Sequence, residues 1–194
     1  RTGAGSGPYL LRRIFQSEAL VTRPTSTSVT LYDAAAGPGH WRFVADTVMG
    51  GVSRGGLALE TVAGRAAVHL TGSVSTANSG GFVQAALNLA RPEGGCLDGS
   101  HADALELTVY GNGESYNVHL RTPDVVRPWQ SYRASFVAPP EWQQCRLPLA
   151  GFEPHRLDAP FDSSRICRLG VVAIGRDFEA DVAVARIRLV GGDP

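Results

Sequence analysis

From residue 29 onward, apolar and polar positions alternate in short runs with the two-residue period of half-buried strands. Runs at 29–32, 41–45, 66–70 and 81–89 are rich in Val, Leu and aromatics, and turn residues end each of them. Runs at 104–110 and 116–121 follow, joined by Gly111, Asn112, Gly113 and Glu114, which reads as a hairpin. Runs at 131–137 and 142–147 flank Pro139 and Pro140, and runs at 166–174 and 180–190 close the pattern. No helix-period segment of comparable length follows residue 40. About ten short strands in one unit predict an all-β protein, an antiparallel β-sandwich or jelly roll. The absence of a repeat at fixed period excludes a propeller or solenoid.

Residues 1–28 differ, being rich in Gly, Ser, Thr and Arg with Pro8 and Pro24. The first seven read as a flexible arm. Leu11, Ile14 and Phe15 have helical spacing within 10–20, which predicts a short helix packed on the domain. The division expected is an arm over 1–28 and a β-sandwich domain over 29–194.

Alternation sorts the side chains of the expected hairpin. Leu105, Leu107, Val109, Val118 and Leu120 share the core face. Glu106, Thr108 and Tyr110 share the opposite face with Asn117, His119 and Arg121. An acid, a phenol, an imidazole and a guanidinium on one sheet face form a candidate surface for a sugar or other small polar ligand. The competing reading is the ordinary wet face of an antiparallel sheet. Trp129, Tyr132 and Arg133 follow closely in sequence and add a stacking surface.

The segment 41–53, WRFVADTVMGGVS, is too particular for a generic loop. Gly50 and Gly51 imply a tight turn or a close backbone approach. Val48 and Met49 are expected to plug the sandwich end, and Asp46 and Ser53 to hydrogen-bond the loop backbone. Asp46, Met49 and Ser53 also stand as candidate ligand or partner contacts.

Composition narrows the function. Acidic and basic residues number 18 each among 194 residues, so no net field favours nucleic acid or an acidic membrane. All the basic residues are arginine, as a GC-rich coding bias gives, and they are scattered without a basic stripe. No apolar run approaches the roughly 20 residues of a membrane span. The three cysteines, an odd and sparse set, do not read as a disulfide framework, and no CxxC or Cys/His cluster marks zinc. Cys145 and Cys167 fall in apolar runs and are expected as buried thiols. A reducing cytoplasm is the default location.

Nothing forms a catalytic constellation. No GxSxG elbow is present, and Ser53 and Ser79 only neighbour glycines. Asp46 and Glu106 are conceivable paired carboxylates, but nothing in the sequence brings them together. His69 and His119 read as structural. SRGG, SGG and GNG are turn punctuation without the strand–glycine–helix setting of a phosphate loop. No enzyme, metal or cofactor is expected.

Five ordered pieces carry a resemblance that spans roughly 29–190: WRFVADTVMGGVS, LTGSVSTANSGGFVQAALNL from Leu70, LELTVYGNGESYNVHLRT from Leu105, YRASFVAPPEWQQCRLPLAGFEP from Tyr132, and LGVVAIGRDFEADVAVARIRL from Leu169. The chain resembles the complex I intermediate-associated protein 30 family. The resemblance implies a galactose-binding-like jelly roll and a non-enzymatic role. Mitochondrial members are assembly factors of respiratory complex I, so protein partners such as respiratory complex subunits are implied. The composition and short arm fit a stand-alone bacterial member. Two readings result: an interaction module that assists assembly of a respiratory or redox complex, or a module that binds carbohydrate or a small polar ligand through the polar sheet face. The residues carrying either are Asp46, Met49, Ser53, Glu106, Tyr110, His119, Arg121 and Tyr132.

Overall fold

A computed structural model describes residues 28–191. The arm and its expected helix lie outside these residues. Within the described residues, twelve strands form two six-stranded antiparallel sheets packed face to face, with helical structure limited to short 3₁₀ turns. In chain order they are β1 Ser28–Asp33, β2 Trp41–Ala45, β3 Arg54–Val62, β4 Arg65–Val74, β5 Phe82–Asn88 and β6 Ala104–Gly111. The second half is β7 Ser115–Arg121, β8 Ser131–Val137, β9 Gln143–Pro148, β10 Glu153–His155, β11 Arg168–Ile174 and β12 Phe178–Val190.

The first sheet runs β3-β4-β12-β6-β9, and β1 also pairs with the long β12. The second runs β10-β8-β7-β11-β5-β2. The alternation seen in the sequence meets in the middle. Leu105, Leu107 and Val109 of β6 face Val118 and Leu120 of β7, with Val83, Leu169, Val171, Ile187 and Leu189, in one buried core. Burying such apolar side chains contributes about 1.5–3 kcal/mol each before chain entropy is counted.

The expected hairpin does not form. β6 pairs with β12 and β9, and β7 pairs with β8 and β11, so the Gly111–Glu114 connection crosses between sheets. A glycine-rich reversal fixes a change of direction and leaves the choice of partner to the apolar faces. The two strands still share a core, but their polar faces point to opposite sides of the molecule.

β3 and β10 escape the alternation reading. β3 contains Gly55 and Gly56, which resemble turn residues. Gly55 instead faces Gly72 on β4, and a Cβ on Gly55 would stand 2.3 Å from the Thr71 carbonyl oxygen. The pair lets two backbones approach where side chains would keep them apart.

Cysteine behaves differently from expectation. Cys96 and Cys167 form a disulfide across 71 residues, beside the Leu97–Ile166 bridge that ties their segments together. Cys145 is a free, half-buried thiol packed against the core, and burial pushes its pKa up. An odd count hid one bonded pair beside one thiol.

Candidate functional site

The outer face of the second sheet is concave and holds a groove of about 630 Å³, within the range of ligand sites. Strand register builds its floor. Arg133 of β8 lies opposite His119 of β7, His119 opposite Gly170 of β11, and Gly170 opposite Ala86 of β5. Small residues at the centre leave the depression. Gly170 has no side chain, and Gln84 packs over it so closely that a Cβ there would stand 2.4 Å from Gln84 Nε2.

His119 is 8% exposed, and its Nε2 has no hydrogen-bond partner. Burial first, then the charges of Arg133, His155 and Arg121, push its pKa down to about 3. The imidazole is therefore neutral at ordinary pH and keeps both a donor and an acceptor nitrogen. An unpartnered buried polar atom costs free energy that a ligand hydroxyl recovers.

Two loops wall the groove. On one side the loop after β7 carries Trp129, 48% exposed, with the Arg127 guanidinium 6.0 Å from the ring centre. Arg121 shapes this loop: its guanidinium donates to the carbonyls of Val125, Arg127, Pro128 and Gln130 at 3.1–3.3 Å. It is a positioning residue with its donors already engaged by backbone. On the other side stands the 3₁₀ turn Asp46–Met49, with Phe82 and Ser79 beside it. Val48 and Met49 are 74% and 55% exposed and line the rim, so they plug nothing.

Asp46 anchors that turn from below, fully buried. It accepts hydrogen bonds from the N–H groups of Ser53, Gly81 and Phe82 and from Ser53 Oγ, the last at 2.5 Å. Burial works against its charge, but these donors outweigh it and hold the carboxyl below its ordinary range. Gly50 closes the turn at φ 88°, a left-handed conformation natural to glycine. Gly51 does not share that left-handed backbone. Asp46 and Ser53 thus build the rim, and neither lines the groove.

The remaining candidates lie elsewhere. Glu106 sits on the outer face of the first sheet, where Gln144, Arg146 and Arg188 all donate to it. Tyr110 packs on Trp142 over Ala67, Ala183 and Ala185, a small apolar cluster on that same far face. Tyr132 is fully buried, points into the core against Phe161, and donates to the Pro160 carbonyl at 3.3 Å. Of the eight candidate contacts, Met49, His119 and Arg121 meet in the groove, joined there by Trp129 and Arg133 of the expected stacking surface. Sequence reading missed Gln84, His155, Arg156 and Arg168, which line it. Alternation along 168–174 marks Arg168, Gly170, Val172 and Ile174 as one face, but both faces of that strand read as apolar.

The sequence matches the complex I intermediate-associated protein 30 family over residues 31–182, most of the chain. The chain belongs to that family. No curated protein matches it by sequence. By structure it is similar to the family 11 carbohydrate-binding module of a cellulosomal cellulase of Clostridium thermocellum, with TM-score 0.66 and 12% identity over 86% of this chain and 95% of that one. The same module in complex with a β-1,3-1,4-mixed-linked tetrasaccharide gives TM-score 0.65 and 13% identity over 85% and 96%. A family 30 carbohydrate-binding module gives 0.60 and 15% over 89% and 91%. At these identities the likeness shows a shared jelly-roll fold, as expected from the strand pattern. Among the described residues no helix is long and apolar enough to cross a membrane, and no cluster of His, Cys, Asp and Glu is arranged to hold a metal ion.

Proposed function

We propose that this protein is a binding module whose working surface is the groove on the second sheet, and that its ligand is an oligosaccharide or similar polyhydroxylated chain. The observation that carries this reading is the unpartnered Nε2 of buried His119 on the groove floor, facing a cleft flanked by Trp129. A sugar ring has an apolar face for an indole and hydroxyls for an imidazole and for Gln84. The likeness to carbohydrate-binding modules supports it at the level of fold. Binding is favoured over hydrolysis because, among the described residues, no carboxylate lines the groove to act as acid or nucleophile. A glycan array probed with the protein and with Trp129→Ala tests the reading. Wild type binds at least one glycan and the variant loses it; an array blank for both overturns the reading.

A protein partner is the second reading, and the implied assembly role for a respiratory complex belongs to it. It is supported by family membership and by exposed Val48 and Met49 at the rim. Crosslinking from position 49 to respiratory-complex subunits, lost in Met49→Glu, supports it; no crosslink to any of them counts against it.

The Cys96–Cys167 disulfide supports an oxidising compartment over the cytoplasm as the place of work.

A further inference from the structure

Acids and arginines balance over the chain at 18 each, but not in the groove. Arg121, Arg133, Arg156 and Arg168 line it with His119 and His155, and among the described residues no Asp or Glu does. Elsewhere on the surface Arg146 and Arg188 hold Glu106, Arg165 holds Asp124 and Asp162, Arg176 holds Glu114 and Arg186 holds Asp33. Among the described residues, Arg42, Arg54, Arg65, Arg91 and Arg127 stand without an ion pair but apart from one another in sequence, so the feature of the groove is that four arginines gather in it with no acid among them. Among the described residues, none of the four groove arginines makes an ion pair. Glu153 of β10 is in register with Arg133, yet no ion pair joins them. Arg121 is committed to backbone carbonyls, and Arg133 donates only its Nε, to Ser131. The backbone of Arg156 is left-handed at φ 57° and is held there by Gln130, which donates to its carbonyl. A strained non-glycine residue at a cleft edge is a feature of ligand sites.

Like charges gathered without counter-charge repel one another and lose hydration. Burial and the neighbouring Arg156 lower the pKa of Arg133, and burial and Arg168 lower that of Arg121. A ligand that brings negative charge relieves both costs, and guanidinium pairs best with carboxylate or sulfate in a bidentate fork.

We propose that the groove takes an acidic oligosaccharide, one carrying carboxylate or sulfate groups, with Arg133, Arg156 and Arg168 on its anionic groups and His119 Nε2 on a ring hydroxyl. This rests on the saccharide reading of the groove. Uronates and sulfate esters offer the same chemistry to these arginines, so both are tested.

The full chain is titrated calorimetrically at low and high salt with oligogalacturonate, a sulfated oligosaccharide, the neutral mixed-linked glucan tetrasaccharide and polyglutamate. An acidic saccharide binds at least about tenfold tighter than the neutral one, and high salt weakens it. Arg133→Gln and Arg168→Gln each lower that affinity about fivefold or more with melting unchanged, and lower it by a larger factor than they lower any affinity for the neutral glucan. Which acidic saccharide binds tighter separates uronate from sulfate. Neutral glucan binding tightest, without salt dependence, overturns the charge inference while the saccharide reading stands. Polyglutamate binding as tightly as the acidic saccharides overturns both in favour of an acidic peptide site. Silence from all four overturns the charge inference, and the glycan array alone decides the saccharide reading.

Discussion

The buried carboxylate of Asp46 lies against the backbone of Gly51, so closely that a Cβ on Gly51 would stand 2.3 Å from Asp46 Cγ. Gly80 presses from the other side, where a Cβ would come within 2.4 Å of Asp46 Oδ2. The glycines therefore make room for the anchor of the groove rim; Gly51 has no left-handed backbone. Asp46→Ala should destabilise the domain by about 2–4 kcal/mol through lost charge-assisted hydrogen bonds. Gly51→Ala should cost about 1–3 kcal/mol by overpacking. Gly56→Ala, where a Cβ meets nothing within 4 Å, is the control and should shift stability by under about 1 kcal/mol. Denaturant unfolding reads all three.

Arg121 should govern the loop that carries Trp129. Arg121→Lys keeps the charge but cannot reach four carbonyls at once. Amide exchange over residues 122–130 should rise by about tenfold or more while exchange in the core of β6 and β12 stays slow. Uniform acceleration everywhere would make Arg121 a global stabiliser and not a positioning residue.

Reducing the Cys96–Cys167 disulfide should lower stability. A closed loop of 71 residues gives an entropic contribution of about 4 kcal/mol as an upper value. Cys96→Ser should melt several degrees lower, and reductant should then have no further effect on it. Cys145→Ser should change little.

His69 ties three strands together, with Nδ1 2.6 Å from Glu60 and Nε2 2.7 Å from Asp181. Burial opposes its charge, but hydrogen bonds and the charges of Asp181 and Glu60 outweigh burial and raise its pKa. A raised pKa stabilises the fold fully below the ordinary histidine value and ceases to as pH rises through the folded value. His119 has the opposite sign. With its pKa pushed down to about 3, it opposes folding as pH falls below the ordinary histidine range. Stability measured from pH 5 to 9 should decline on the alkaline side in the native protein and lose that decline in His69→Gln. Identical profiles would contradict the role given to the His69 cluster.

The core was legible because alternation in β6, β7, β11 and β12 survives any choice of sheet partner. Partner choice was not, and it decides the site. Placing β6 and β7 in opposite sheets separates Glu106 and Tyr110 from His119 and Arg121 by the thickness of the molecule. Tyr132 read as a stacking surface because Trp129 and Arg133 are near in sequence, yet alternation sends it inward while Arg133 faces out. Arg156 and Arg168 had no local signal, since their meaning comes from β8, β7 and β11 lying side by side. The Asp46 corner gave away its glycines early, but only the folded chain shows that a carboxylate fills the space they leave.

The central claim is that the groove, and no other face, binds a saccharide. Nitrogen-15 spectra of the full chain, titrated with oligogalacturonate, with a sulfated oligosaccharide and with the mixed-linked tetrasaccharide, test it most directly. The account predicts that at least one of them shifts the Trp129 indole N–H and the His119 ring nitrogens together and leaves Trp142, on the opposite sheet, in place. Shifts centred on Trp142 and Tyr110, or no shift with any of the three saccharides, would contradict it.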